Sequence, residues 1–165
     1  MTVDASLLKD RTQQLVGAAR VLAVGSYMPI SNQVPILGTV DTDDWDFFMT
    51  VAGVFVAATK LHHLDVTEQV EDALMAVVSR DAHDWNDRAI DALEDCQQFY
   101  ERTCDGLKDG GRFASADAIG AWIAWNLLRR QPDAPAEWQL VRAAGLMVTA
   151  SFVNWWESDT SPFRK

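Results

Sequence analysis

The chain has 165 residues and a mass of 18.4 kDa, the size of one ordinary domain, able to bury roughly 70% of its unfolded surface. Its 48% apolar and 23% charged residues are a globular composition. A net charge of −10 and a pI near 4.5 exclude a non-specific grip on nucleic acid or anionic lipid, and two cysteines exclude a disulfide scaffold.

The segment Met1 to Arg11 lacks a basic stretch followed by an apolar run, so no secretory signal is expected. The longest uncharged apolar runs, 47–59, 118–128 and 143–156, fall short of the roughly 20 residues that span a bilayer. These features predict a cytoplasmic protein with no membrane partner.

Apolar spacing predicts six helices in a single all-α domain over 1–165, with a loose tail over 158–165. The first runs over about 4–24, with Leu8, Leu15, Ala18, Ala19 and Leu22 at helical spacing. Pro29, Pro35 and Gly38 then predict a long loop over 25–42. A second helix over 43–64 opens on Asp41, Asp43, Asp44 and Asp46, where carboxylates suit the positive end of the helix dipole. A third follows Asp65 and runs to Asp81, with Glu68 in capping-box spacing.

The fourth, over 84–107, is the most amphipathic. At about 100° per residue, Trp85, Ala89, Ala92, Leu93, Cys96, Phe99, Tyr100, Cys104 and Leu107 share one face. Asp84, Asp87, Asp91, Glu94, Asp95 and Asp105 share the other. Gly106, Gly110 and Gly111 form a turn, a fifth helix follows Ser115 to about Arg129, and a sixth covers 137–157 after a linker marked by Pro132 and Pro135. No hairpin signal or sustained period-two alternation competes with this pattern.

Gly17, Gly53, Gly120 and Gly145 lie inside the first, second, fifth and sixth helices. A glycine inside a helix costs about 1 kcal/mol, which close backbone approach can offset. These four helices are also apolar around much of their circumference, which predicts that they sit centrally with the third and fourth outside. Two amphipathic helices are few to cover four apolar ones, so the expectation is a homodimer.

The chemistry-bearing residues each admit a plain reading. His83, Asp87, Asp91 and Glu94 form a row along one helix, which alone cannot surround a metal. The row reads as a solvated face, partly ion-paired by Arg88 and Arg102, or as a docking surface for a basic protein formed by Asp84, Asp87, Asp91, Glu94 and Asp95. The turn 105–117 has Asp105, Asp109 and Gly110 at calcium-loop positions, but Leu107 and Ala116 stand where ligands belong. His62 and His63 suit a helix end, where positive charge is favoured. Cys96 and Cys104 are about 12 Å apart along one helix, too far for a disulfide. Of seven tryptophans, Trp122, Trp125 and Trp155 are candidates to wall a ligand pocket, against a core or interface role.

No nucleophile elbow, phosphate loop, dinucleotide fingerprint or Cys-x-x-Cys is present. The expectation is therefore a non-catalytic, cofactor-free, acidic interaction protein. It would be a neutraliser of the immunity type or an accessory subunit. The alternatives are a small-ligand-binding or enzymatic domain with a tryptophan-lined pocket, and a metal-dependent helical enzyme using His62, His63 or His83.

Overall fold

The protein is an all-α bundle. A computed structural model describes residues 5–61, 72–74, 88–106 and 112–151. Five α-helices are defined there: α1 (Ala5–Gln33), α2 (Thr42–Leu61), α3 (Ala89–Gly106), α4 (Arg112–Leu128) and α5 (Pro135–Leu146). A 3-10 turn, Pro35–Thr39, links α1 to α2, and a π turn, Met147–Ser151, follows α5. Residues 72–74 form a helical piece within the span predicted for the third helix. No strand occurs among the described residues.

The largest departure from expectation is the length of α1. It runs through Gly25 and Pro29 to Gln33, where a loop is predicted. Pro29 has no N–H to donate to the Gly25 carbonyl, a loss of about 3 kcal/mol in a helix interior. Against this, Ile30, Val34 and Leu37 are all buried. Burying such side chains contributes roughly 1.5–3 kcal/mol each. Their combined burial outweighs the proline, and the helix continues.

The start of α2 is set locally. The Asp43 N–H donates to the Asp41 carboxylate at 2.8 Å, as the acidic cluster predicts. Trp45 is fully buried one turn on, and its indole N–H donates to the Ala23 carbonyl and the Ser26 hydroxyl of α1, each at 3.3 Å. Every residue from Phe47 to Val56 is buried, so α2 is the central helix, packed against α1, α3 and α4. The first helix is less central than its composition suggests. Its inner side is buried at Val16, Ala19 and Ala23, but Val21, Val24 and Met28 stand in the open.

α4 begins at Arg112, directly after Gly110 and Gly111, rather than after Ser115. It ends at Arg129, whose φ of 58° is the left-handed conformation that closes helices. α5 starts earlier than predicted because Pro135 occupies a first-turn position, where its missing N–H has no bond to lose. Ala134 has no side-chain oxygen to cap this helix. Buried Glu137 does so instead: its Oε1 accepts from the N–H groups of Asp133 (3.0 Å) and Ala134 (2.9 Å) and from Arg130 Nη1 (2.8 Å). Its second oxygen faces Arg130 Nη2. The Arg130 hydrogen bond, then those from Ala134 and Asp133, hold the Glu137 carboxyl down at about 2. The helix predicted over 137–157 passes into the π turn at Met147, where Thr149 Oγ1 donates to the Gly145 carbonyl at 2.7 Å. Its remainder, like the rest of the predicted third helix and residues 84–87, lies outside the described residues.

Three of the four interior glycines sit where the sequence reading puts them, at close approaches. A methyl on Gly120 would run into the Val141 carbonyl of α5, and one on Gly145 into the Ala116 carbonyl of α4. A methyl on Gly53 would meet the Ala19 side chain at 3.1 Å. Gly17 is the exception: among the described residues nothing lies within 4 Å of the position its methyl would take.

These differences make two predictions. In urea denaturation, Gly120→Ala should lose about 3 kcal/mol or more, because a carbonyl cannot move aside as a side chain can. Gly17→Ala should gain up to about 1 kcal/mol. For Glu137 the lowered carboxyl pKa means that its stabilisation is present above the unfolded pKa, near 4.3, and is lost as pH falls through about 2. Melting temperatures of wild type and Glu137→Gln should therefore differ most above pH 5 and converge toward pH 2.

Candidate functional site

α3 turns two different faces outward and inward. Ala89 and Cys96 are buried on α2, with Ala92, Leu93, Phe99 and Tyr100 half-buried beside them. Asp91, Glu94 and Asp95 are exposed. Among the described residues, neither Arg88 nor Arg102 forms an ion pair with Asp91, Glu94 or Asp95. The Arg88 guanidinium lies over the Phe47 ring, 5.3 Å from its centre, and Arg102 Nε donates to the Gln98 carbonyl at 3.3 Å. Both cations find partners on their own side of the helix that require no carboxylate to be desolvated.

Asp95 stands apart from its acidic neighbours. It lies at the border of the polar face, about 40° from Phe99 by helical arithmetic. Its Oδ2 accepts the indole N–H of Trp122 at 2.8 Å. Among the described residues its other oxygen has no partner. Trp122 itself is only 2% exposed, edge-on to Phe48 of α2 with ring centres 5.5 Å apart. It is a core residue with one polar atom at the surface of the core.

Beside this hydrogen bond, α3 and α4 enclose an open groove of about 500 Å³, lined by Asp95, Phe99, Arg102, Thr103, Trp122, Trp125 and Asn126. Trp125 is 42% exposed and stands edge-on to Phe99, ring centres 6.0 Å apart. Asn126 Nδ2 donates to the Trp122 carbonyl at 2.8 Å. The groove thus has an aromatic side, a carboxylate at one end and a guanidinium two helical turns further on.

The structure brings together two sets of residues that the sequence keeps separate, Asp95 from the acidic row and Trp122 and Trp125 from the tryptophans. Asp91 and Glu94 are exposed on α3 and are not among the residues that line the groove. Asp84, Asp87 and Trp155 lie outside the described residues, as do His62, His63 and His83. Sequence reading misses Phe99, Arg102, Thr103 and Asn126 as site residues. Their signal is there in the spacing: Asp95, Phe99 and Arg102 recur at i, i+4 and i+7, and Asn126 follows Trp122 by four.

Cys96, next to groove-lining Asp95, is inert. Burial, then the neighbouring Asp95 charge, push its thiol pKa up, so it stays protonated at neutral pH. Among the described residues no three His, Cys, Asp or Glu side chains gather to hold a metal ion. Residues 112–117 are helical, and 107–111 of the segment read against a calcium loop lie outside the described residues. No described helix is long and apolar enough to cross a membrane. No family model, curated protein or solved structure matches this chain.

Proposed function

We propose that this protein is a non-catalytic, self-associating interaction module that captures a basic protein through the α3–α4 groove. The carrying observation is the Asp95 carboxylate. One oxygen is held by a buried indole, and the residue lines a groove walled by exposed Trp125. A Lys or Arg side chain from a partner would meet a fixed carboxylate and an aromatic face together, and a cation gains from both. Asp91 and Glu94 extend the negative field along the same helix, which raises the rate of encounter with a positive surface. Arg102 at the far end favours a carbonyl or carboxylate there and so sets the direction of the bound segment. Neutralising a basic protein, or joining it as an accessory subunit, is the role this chemistry suits.

A small zwitterionic ligand with a flat apolar body is the second reading. The groove volume favours it, since small-molecule sites run to roughly 300–1,000 Å³. A titration followed by tryptophan fluorescence separates the two. A Lys- and Arg-rich peptide should shift the emission of wild type, with affinity falling as salt rises. The double variant Asp91→Lys/Glu94→Lys should bind it at least about 10-fold more weakly and with a flatter salt dependence. Trp125→Ala should lose a similar factor. Equal peptide binding by wild type and the charge-reversed variant would count against capture of a basic partner. A response confined to small aromatic zwitterions would favour the second reading.

A further inference from the structure

We infer that the outer face of α1 is the self-association surface, where two copies pack antiparallel about a twofold axis near Leu22 and Ala23. The inference rests on the homodimer reading and not on the groove. At about 100° per residue, Gln13, Gly17, Val21, Val24, Met28 and Asn32 fall on one side of α1. That side lies opposite buried Val16, Ala19, Ala23 and Ile30. Val21 is 71% exposed and Met28 65%, so this is a large apolar strip in the open.

Charge points to the occupant. Between Thr12 and Val40 the one charged residue is Arg20, half-buried at the edge of the strip. Charged residues are 23% of the whole chain. A basic partner or an anionic lipid surface gains nothing from a neutral face. Two copies that each carry −10 repel one another through every acidic face, and this one lets them approach.

Shape points to the orientation. Antiparallel pairing sets Val21 against Val24 of the second copy and Gln13 against Asn32 of the second copy. It also sets Gly17, with no neighbour within 4 Å among the described residues, against the long side chain of Met28 of the second copy. Each pair recurs on the other side of the axis, as a twofold interface demands. The open notch at Gly17 is then filled as those at Gly53, Gly120 and Gly145 are filled within the chain. Parallel pairing would set glycine against glycine and leave a gap. About 20 residues of helix, roughly 30 Å, bury on the order of 500 Å² per copy, short of the ~800 Å² of a standard interface. The dimer should therefore form in the micromolar range.

Sedimentation equilibrium from about 1 to about 300 micromolar tests this. Wild type should pass from monomer to dimer, and raised salt should favour the dimer by screening the repulsion. Val21→Lys and Val24→Glu should each remain monomeric, with thermal melts close to wild type at low concentration because both positions are exposed. The double variant Val21→Lys/Val24→Glu should regain the dimer at low salt, since opposite charges then face each other across the axis. A wild type that stays monomeric overturns both the homodimer reading and this face. Dimeric single variants overturn the face and leave the homodimer reading standing. A double variant that stays monomeric overturns the antiparallel register.

Discussion

The contact between Gly120 and Gly145 is the constraint on which the rest of the C-terminal half depends. At this crossing two helix backbones touch, with the carbonyls of Val141 and Ala116 seated where side chains would otherwise be. α4 is thereby divided. Ala116, Gly120 and Ala124 recur at i, i+4 and i+8 and form its smooth side. Trp122, Trp125 and Asn126 lie on the far side, and that side meets α3. Were α5 held further out by even one methyl, α4 would have to shift and its tryptophans would shift with it. The small residues facing α5 and the aromatic wall of the groove are two consequences of one helix being pressed flat against its neighbour.

The second link is the hydrogen bond from Trp122 to Asp95. A buried indole N–H without an acceptor costs on the order of 1–3 kcal/mol. Phe48 of α2 sets the position of the ring, and the ring sets the position of its acceptor. A carboxylate is thus held at the mouth of a groove by the demands of the core. The same carboxylate lies beside buried Cys96 and helps to keep its thiol protonated. Structural and functional demands meet at Asp95, which explains why one member of an otherwise solvated acidic row is fixed in place.

Periodicity made the helical architecture legible wherever the two faces of a helix differ, as on α3, where Cys96 is buried and Asp91 exposed. The glycines at 53, 120 and 145 were legible as close approaches because an interior glycine needs a compensating contact. Gly17 carries the same local signal without a close neighbour among the described residues, and no local rule tells the two cases apart. Pro29 misled for a related reason. Its penalty is local and visible, whereas the burial of Ile30, Val34 and Leu37 that offsets it depends on the rest of the fold. The groove was half legible. Trp122 and Trp125 share a helix face, and Asp95, Phe99 and Arg102 share another, but only the packing of α3 on α4 sets those two stripes against each other. Asp95 had been grouped with Asp91 and Glu94 by charge, whereas its position on the border of the helix faces decides its partner.

The net charge of −10 acquires a different meaning once it is placed on these surfaces. Residues 81–109 hold 9 acidic and 3 basic residues, while residues 12–40 hold Arg20 alone. A uniformly acidic protein would be kept from its own copies and drawn weakly to any cation. This chain concentrates its charge on one helix and withholds it from another. Coulomb attraction is then available at the α3–α4 groove, and its absence lets apolar contact operate on the outer face of α1. On the proposed reading, salt would act on the two in opposite directions, weakening the first by screening attraction and strengthening the second by screening repulsion. On the proposed function, the chain would hold its own copy and a basic partner at the same time, because the two surfaces compete for neither residues nor charge.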